Sequence, residues 1–260
     1  MNLSLYSSAT GMEAQQLNLN NIANNIANVN STGYKRTKVE FQDLLYQAPR
    51  PKGAEGNAGT IVPAGVELGN GSTAVSTTRV FSQGQLTQTD NPWDVSIDGS
   101  GFFQVTQPDG TLAYTRDGSF KVDANGQVVT SGGLPIEGLG AVPDNYTGLY
   151  VQPTGEVSYE TPNGMVNGGT LQLAKFANPN GLRAAGGNLY NETEASGVAV
   201  LGAPDADGYG GLVQGFLEMS NVNVVEEMIN MIVAQRAYEI NSKAIQASDE
   251  MMAVANQLKR

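Results

Sequence analysis

Apolar residues recur at helical spacing at the two ends of the chain, and this pattern predicts one long helix over residues 1–30 and another over residues 221–260. In both segments the repeat averages about 3.5 residues, which keeps the apolar side chains on one stripe and suits coiled-coil packing. We expect the two stripes to cover each other, because a single amphipathic helix gains little stability in water. The predicted self-assembly seam consists of Leu5, Met12, Leu19, Ile22, Ile26, Val29, Val233, Ala237, Ile240, Ala244, Ala247, Met251 and Val254.

The face of the first helix that points away from this seam carries amides instead of charges. Asparagine is a weak helix former, so helix propensity does not explain its abundance. It offers donors and an acceptor without charge. A solvated face on a monomer is the weaker interpretation, because exposed helix faces usually carry Glu and Lys pairs. We therefore predict a polar face between copies of the chain, formed by Asn18, Asn21, Asn24, Asn25 and Asn28.

The ends of the two predicted helices carry residues that helix termini favour. Gly33 suits the left-handed position after the first helix. Asn223 and Glu226 have the spacing of a capping box at the start of the second helix. The one basic cluster of the sequence, residues 34–38, follows the first helix. Neutralisation of nearby acids is its simplest interpretation, and a binding patch is the alternative.

The middle of the chain has the pattern of β structure framed by irregular segments. Residues 31–73 are expected to form an extended arm with an insert at about 46–63, where Pro and Gly forbid a regular helix. This insert is either a linker or an arm that becomes ordered on a neighbour. From 74 to 190, short apolar runs alternate with Asp-Gly and Asn-Gly pairs, which are strong hairpin signals. Residues 191–220 are predicted to be a return arm whose extended residues could pair with residues 34–45.

Together these patterns predict an α+β fold. The N- and C-terminal helices would pair as a coiled coil, and extended arms would connect them to a central all-β domain of barrel or sandwich type, since the turn signals are regularly spaced. At 260 residues the chain is long enough for two domains or for one large domain. Its 32 glycines are concentrated in the middle, where many turns are expected.

Composition excludes several classes of function. The formal net charge of −11 argues against binding to nucleic acid or to anionic membrane surfaces. No stretch approaches the ~20 apolar residues that cross a bilayer, so membrane insertion is not expected. No cleavable secretory signal is visible at the N-terminus. Without Cys or His, the chain cannot form a disulfide, a Cys/His zinc site or an imidazole base, and no cofactor or metal is expected.

The remaining candidates for chemistry are weak, and we expect no enzyme activity. Asp94 and Asp98 could in principle serve glycoside hydrolysis. Strand alternation, however, places Trp93 on the opposite face from both acids, which is the pattern of a strand with one wet side. Residues 205–208 resemble the start of a calcium loop, but no Glu stands at the closing position.

Five motifs resemble the signatures of the flagellar rod and hook proteins, and they cover nearly the whole chain in the family's order. One lies at the end of the first helix, two lie in the β region, and two lie in the second helix and its approach. They are Asn-Asn-Ile-Ala-Asn-Val-Asn-Ser-Thr-Gly-Tyr-Lys-Arg at 24–36, Asn-Pro-Trp-Asp-Val-Ser-Ile-Asp-Gly-Ser-Gly-Phe-Phe at 91–103, Tyr-Thr-Arg-Asp-Gly-Ser-Phe-Lys-Val at 114–122, Ser-Asn-Val-Asn-Val-Val-Glu-Glu-Met-Ile at 220–229 and Gln-Arg-Ala-Tyr-Glu at 235–239.

The resemblance implies a structural subunit that stacks helically into a rigid hollow shaft. The terminal helices would line the inner tube, and the β-domain would face outward. The chain length and the insert after residues 41–45 resemble the members that build the distal rod, with proximal rod and hook subunits as the alternatives. In distal rod members the insert is implied to stiffen the tube. Here this arm would include Tyr46, Pro49, Pro51, Ile61 and Pro63.

The resemblance also implies partners and a location. The partners would be further copies of the chain, proximal rod subunits, hook subunits or a hook-side junction, the P and L ring proteins, a rod cap and the flagellar type III export apparatus. The shaft would belong to the flagellar basal body, span the periplasm to the outer membrane and carry torque to the hook. The chain would be exported without a cleaved signal. A secreted protein that binds or hydrolyses cell-wall glycans is the weaker rival from a different class.

Overall fold

Two helices flank a mostly β central region in the computed structural model, which describes residues 3–50 and 65–258. The helices are α1, Leu3–Ala27, and α2, Val224–Leu258. The chain divides into two compact units. Unit 1 consists of Met1–Ile26, Thr37–Thr78 and Asn223–Arg260, and unit 2 consists of Ala27–Arg36 and Arg79–Val222. The prediction of an α+β chain with a helix at each end is therefore confirmed.

The start of α2 is capped as the sequence predicts. The Asn223 Oδ1 atom accepts hydrogen bonds from the backbone N–H groups of Val225, at 3.1 Å, and Glu226, at 3.4 Å. Two of the N–H groups that have no partner inside the helix are satisfied in this way. Within the described residues, neither helix contains an apolar stretch that is long enough to cross a bilayer.

The two helices run antiparallel within unit 1. The hydroxyl oxygens of Ser4 and Ser248 lie 3.3 Å apart. Seven residues further along α1, a Cβ on Gly11 would lie 2.9 Å from the Nδ2 atom of Asn241, which is seven residues earlier in α2. Two contacts that advance in opposite directions fix the antiparallel sense. The missing side chain of Gly11 makes room for Asn241 at the second contact.

Two strand pairs complete the described part of unit 1. Strand β1, Thr37–Asp43, pairs with β4, Ser72–Arg79. Strand β2, Tyr46–Arg50, pairs antiparallel with β3, Val66–Gly69. In its described residues, the segment 31–73, predicted to be an extended arm with an insert, contains β1, β2, β3 and the first residues of β4.

Unit 2 contains fifteen short strands in its described residues, and a 3₁₀ turn, Pro179–Gly181, lies among them. In chain order the strands are β5 Leu86–Gln88, β6 Val95–Asp98, β7 Phe103–Thr106, β8 Leu112–Thr115, β9 Lys121–Val122, β10 Val128–Val129, β11 Gly148–Val151, β12 Glu156–Thr161, β13 Gly164–Thr170, β14 Leu173–Lys175, β15 Arg183–Gly186, β16 Leu189–Asn191, β17 Val200–Gly202, β18 Gly211–Gln214 and β19 Phe216–Glu218.

These strands form several small sheets. The largest has four strands in the order β15-β16-β8-β7, the next has three in the order β11-β12-β13, and the others are two-stranded. No sheet closes into a barrel within the described residues, so the barrel alternative is wrong. The turn signals specify which neighbouring strands pair, but closure requires a consistent stagger of many longer strands, and such turns do not encode it.

Most of the Asp-Gly and Asn-Gly signals form hairpins. Asp109-Gly110 joins β7 to β8, Asn125-Gly126 joins β9 to β10, and Asn163-Gly164 joins β12 to β13. Asp117-Gly118 does not, because β8 pairs with β7 and β16 while β9 pairs with β10. There the Gly118 carbonyl accepts the N–H of Val95 at 3.0 Å, so this turn connects to β6 instead.

The predicted return arm, residues 191–220, is part of the β structure of unit 2. Its strand β17 pairs with β14, β18 pairs with β6, and β19 pairs with β5. Pairing with residues 34–45, which the sequence suggested, is therefore wrong for these strands. Each of them pairs with another strand of unit 2, and Leu212 of β18 is buried there.

The core of unit 2 consists of two apolar clusters. The adjacent residues Phe102 and Phe103 belong to different clusters. Phe103 packs in the larger cluster with Phe120, their rings meeting edge to face at 5.0 Å. Phe102 packs in the smaller cluster with Phe176, at 5.8 Å. Alternation of side chains along an extended backbone explains this division. Trp93, the only tryptophan of the chain, packs partly buried against the larger cluster.

We predict that Gly33→Ala destabilises unit 2 more than Gly110→Ala does. Both glycines have positive φ, +67° and +79°, so both substitutions incur the left-handed penalty of about 1–2 kcal/mol. A Cβ on Gly33 would also lie 2.7 Å from the backbone of Arg116 and Asp117, whereas nothing lies within 4 Å at Gly110. Overpacking adds about 1–3 kcal/mol. Urea titration followed by Trp93 fluorescence measures both effects, and equal shifts in midpoint would contradict the prediction.

Candidate functional site

The two opposite faces of α2 differ in character. The covered face carries Glu227, Ala234 and Ser248, which are buried and separated by multiples of seven residues. At about 100° per residue, the opposite side lies half a turn away. There α2 exposes a set of apolar side chains, each at least half accessible, which we call the outer stripe: Val225, Met228, Ile229, Ile232, Val233, Ile240, Met251 and Val254.

The predicted seam is only partly covered. In its N-terminal half, Ile22 is buried and the other five residues, Leu5, Met12, Leu19, Ile26 and Val29, are half-buried. In its C-terminal half, Ala237 is half-buried while Val233, Ile240, Ala244, Ala247, Met251 and Val254 are exposed. Pairing of the two stripes within one chain is therefore not confirmed, since the covered face of α2 lies about a third of a turn away. The role of these residues in self-assembly stays a prediction.

Periodicity identified the most apolar face of α2, and the structure buries a more polar one. Asn241 and Ser248 meet α1, where Gly11 and Ser4 leave little space between the helices. Small and polar side chains permit this close approach. An apolar pattern indicates that a face needs cover, but it does not indicate whether the cover belongs to the same chain.

Two asparagines of the predicted polar face form hydrogen bonds within the chain. The Asn21 and Asn25 side-chain NH₂ groups both donate to the Thr37 carbonyl, at 2.8 and 2.9 Å. The Thr37 N–H donates to Asn25 Oδ1 at 3.0 Å, and its hydroxyl donates to Asn21 Oδ1. These bonds fix the start of β1 on α1 and give Asn21 and Asn25 a role within the chain, and their role between subunits stays a prediction. Asn18 and Asn28 are half-buried and Asn24 is exposed, and their role between subunits stays a prediction.

The predicted stiffening arm is described only at its start. Tyr46 and Pro49 lie in β2 and are exposed, whereas Pro51, Ile61 and Pro63 lie outside the described residues. Tyr46 faces Gly69 of β3 across the strand pair. A hydrogen bond with Asp43 raises the pKa of the Tyr46 phenol. The insert therefore begins as one strand of a hydrogen-bonded pair.

Unit 2 contains a buried ion cluster that sequence reasoning did not identify. The carboxylate of Glu218 is fully buried between Lys35, also fully buried, and Arg116, which is 5% exposed. Lys35 donates to Glu218 and, at 2.8 Å, to the Ser82 carbonyl. Arg116 Nη1 donates to Glu218 Oε2 at 3.4 Å, and the Gly84 N–H donates to Glu218 Oε1 at 2.9 Å.

The charges of this cluster depend on one another. Burial lowers the pKa of the Lys35 ammonium, and Glu218 opposes that effect. Burial also lowers the pKa of the Arg116 guanidinium, again against the attraction of Glu218. One carboxylate thus offsets two buried cations, and an ion pair that loses one partner leaves a charge uncompensated at a high cost.

The same region of unit 2 ties together three distant segments of the chain. The Arg36 N–H donates to Asn221 Oδ1 at 2.7 Å. The Asn221 NH₂ group donates to the carbonyls of Val80, at 2.7 Å, and Ser82, at 3.1 Å. With the ion cluster, these bonds hold the segments that begin and end unit 2 beside each other.

In the sequence, only Glu218 is a single charge beside apolar residues, whereas Lys35 adjoins Arg36 and Arg116 adjoins Asp117. Neutralisation of the basic cluster 34–38 by an acid is confirmed for Lys35, which pairs with Glu218. Glu218 ends β19 after the half-buried Phe216 and Leu217, and Arg116 directly follows β8, which buries Ala113 and Tyr114. The sequence alone does not show that these three positions, far apart along the chain, come together.

Both candidate carboxylates for hydrolysis, Asp94 and Asp98, accept hydrogen bonds from neighbouring side chains. Asp94 is buried and accepts hydrogen bonds from the Thr89 hydroxyl, at 2.7 Å, and the Asn91 amide, at 3.0 Å. Ser96 is also buried, so the predicted wet side of this strand is wrong at Asp94 and Ser96, although Asp98 is exposed. In the part of the chain that the structure describes, no cluster of three or more acidic residues could hold a metal ion.

Three family models match separate parts of the chain. Residues 5–35 match "Flagella basal body rod protein", residues 96–159 match "Flagellar hook protein FlgE/F/G D1 domain", and residues 213–258 match "Flagellar basal body rod FlgEFG protein C-terminal". A helix with a long exposed apolar stripe, together with these matches, defines a subunit of the rod and hook class.

The similarity extends to whole chains. The flagellar basal-body rod protein FlgG of Borreliella burgdorferi is 47% identical over 98% of both chains, and that of Bacillus subtilis is 38% identical over 99% of both. A FlgG of Buchnera aphidicola is 49% identical over 98% of this chain and 99% of the relative. The chain therefore belongs to the flagellar basal-body rod protein family. A solved structure of the Helicobacter pylori flagellar hook protein FlgE2 covers 60% of this chain and 47% of its own at 16% identity, and its TM-score of 0.25 is too low to relate the folds.

We predict that Glu218→Gln destabilises unit 2 by about 3–5 kcal/mol, because it leaves Lys35 and Arg116 buried without a counter-charge. Glu137→Gln is the matched control in the same unit. Glu137 is exposed, so its substitution should change stability by no more than about 0.5 kcal/mol. Urea titration followed by Trp93 fluorescence compares the two variants. A Glu218→Gln midpoint as close to wild type as that of the control would show that the cluster is dispensable.

Proposed function

We propose that the chain is a structural subunit of the distal rod of the bacterial flagellum. It self-assembles into a rigid hollow shaft that carries torque through the periplasm and the surrounding rings to the hook. The observation that supports this function best is the outer stripe of α2 in a member of a rod-protein family. The role is mechanical, and it needs neither a cofactor nor a catalytic group.

The dimensions of the outer stripe favour a macromolecular cover. Its apolar residues run from Val225 to Val254, which at 1.5 Å per residue is about 44 Å of helix. Contiguous exposed apolar surface of this kind marks an interaction site. A helical array of identical subunits repeats one modest contact many times, and heterologous contacts that do not close produce an open helical lattice. Stiffness then follows from the number of contacts, since each is individually modest.

The partners follow from a place in such a shaft. The chain would contact copies of itself along most of the distal rod, proximal rod subunits at one end, and hook subunits or a hook-side junction at the other. The P and L ring proteins would surround it. A rod cap would guide assembly, and the flagellar type III apparatus would export the subunit to the basal body without a cleaved signal.

The insert at 46–63 is the feature that distinguishes this proposal from a proximal rod or hook subunit. Its first residues form β2, which is anchored by antiparallel pairing with β3. An arm fixed to unit 1 at both ends of the insert can transmit force to a lateral neighbour. We propose that Tyr46, Pro49, Pro51, Ile61 and Pro63 contribute to that contact and resist bending of the tube.

We predict that the double variant Ile240→Asp, Ala247→Asp does not polymerise. Both positions are exposed on α2, and in an assembled tube the new carboxylates would be buried without partners, at a cost of several kcal/mol each. The control is Gln235→Asp, Gln246→Asp, which adds the same charge to exposed positions outside the outer stripe. Electron microscopy and sedimentation of concentrated protein compare the variants. Tubes from the Ile240/Ala247 variant would contradict the role of this face.

A second prediction concerns the insert. Deletion of residues 46–63 should leave a protein that still forms tubes, but tubes that bend. A companion variant keeps β2 and β3 and replaces only residues 51–63 with a Gly/Ser segment of equal length, which separates the effect of the strand pair from that of the insert's own sequence. Persistence length measured by electron microscopy is the readout. Deletion tubes as straight as wild type would refute a stiffening role.

A further inference from the structure

One side of α1 lines a cleft of about 520 Å³ in unit 1, and β4 and the approach to β2 close its other wall. The lining includes Tyr6, Glu13, Leu17 and Asn20 from α1, with Leu44 and Thr73 opposite. Tyr6 is 50% exposed and Leu17 is 41% exposed. The cleft is thus a concave surface that presents two large apolar side chains around a carboxylate.

The charge in this cleft is unusual for its helix. Glu13 is the only charged residue between Leu3 and Ala27. It forms no ion pair with any residue that the structure describes. A lone carboxylate beside exposed apolar side chains is suited to bind an apolar surface that also presents a cation.

The outer stripe of α2 is a surface of this kind, and two exposed cations, Arg236 and Lys243, lie on its face. Arg236 projects from its centre, with Ile232 one turn before it and Ile240 one turn after it, and both isoleucines are more than half exposed. The Arg236 side chain is 73% exposed, and it pairs with Glu239 at 2.9 Å. Such an exposed pair contributes little stability, so Arg236 can exchange its partner at low cost.

The cleft and the outer stripe cannot meet within one chain. Ser4 and Gly11 mark the side of α1 that contacts α2, and at about 100° per residue the cleft residues Glu13 and Leu17 point well away from it. The outer stripe likewise lies half a turn from the face of α2 that contacts α1. Surfaces that are complementary in charge and share apolar character but face apart can be joined only by a second copy.

We propose that the outer stripe of one copy docks in the α1 cleft of the next, with Arg236 paired to Glu13. This inference rests on the proposed self-assembly and specifies which surfaces meet. Because the two surfaces differ, the contact is heterologous, and its repetition produces an open helix instead of a closed dimer. A charge pair at the centre of an apolar contact fixes the register of the two partners.

Charge reversal tests the pairing. Glu13→Lys and Arg236→Glu should each raise the critical concentration for polymerisation by about tenfold or more, because each places like charges together. The double variant restores opposite charges and should recover most of the loss. Glu239→Gln is the control, since it removes the partner of Arg236 within the chain and should leave polymerisation unchanged. A double variant no better than the worse single variant would overturn the pairing.

Disulfide trapping tests the contact independently of charge, because the chain contains no cysteine of its own. A chain carrying Leu17→Cys is mixed with one carrying Ile232→Cys or Ile240→Cys, polymerised and oxidised. Each chain then has one thiol, so any mixed disulfide joins two copies. We expect one of the two mixtures to crosslink, and which one does so gives the direction of the docked helix. Gln235→Cys, outside the outer stripe, is the control and should not crosslink to Leu17→Cys.

The outcomes separate this inference from the proposed function. If wild-type tubes form but neither mixture crosslinks, or if Ile240→Cys crosslinks mainly to itself, the docking is overturned and the rod function stands. If the wild-type chain forms no tubes under any condition, the proposed function itself fails.

Discussion

The buried carboxylate of Glu218 is the constraint on which the described β structure depends. It lies near the end of unit 2's sequence and offsets two buried cations, Lys35 from its first segment and Arg116 from its interior. Glu218 also accepts the Gly84 N–H, and the Gly33 N–H donates to its carbonyl at 2.8 Å. An apolar replacement of all three charges could preserve stability, but the loss of one could not. We infer that the ions add specificity, because an arrangement that separated these segments would leave buried charges without partners. We infer that the cluster fixes where the chain enters and leaves unit 2, a role that suits a subunit under mechanical load.

Unit 1 is subject to a different physical constraint. Its long helix α2 packs against its own chain, and in the proposed function it must also leave an apolar face for other copies. Two different faces of α2 meet these two requirements. Small and polar residues such as Ala234 and Ser248 face the chain's own α1, and Asn25 and Thr37 attach β1 by hydrogen bonds. The apolar residues remain outside. In the proposed assembly, folding and polymerisation would use separate surfaces of the same helix.

The sequence predicted the elements whose causes are local. The two helices, the Asn223 cap, the left-handed Gly33 and the Asn125-Gly126 hairpin all follow from nearby residues, and the structure contains them. Long-range pairings were not predictable in this way. Strand β18 pairs with β6, more than a hundred residues away, and no turn signal encodes that choice. The ion cluster was missed for the same reason, because three charges at distant positions reveal nothing about proximity. The signature motifs of the family did contain Lys35 and Arg116, so the resemblance marked the positions without explaining them.

The most apolar face of an amphipathic helix usually packs against the core of the same chain. The outer stripe does not follow this rule. In α2 the most apolar face is outside and the buried face includes the carboxylate of Glu227. A chain that had to remain monomeric would gain nothing from this arrangement, since the exposed apolar groups favour non-specific association. The arrangement is favourable only when a specific partner covers the stripe, and a partner available along the full length of a shaft is another copy of the chain. Apolar cover supplies the affinity of such a contact, while isolated charges such as Glu13 and Arg236 restrict it to one register. Polymers that must be both strong and regular require both components.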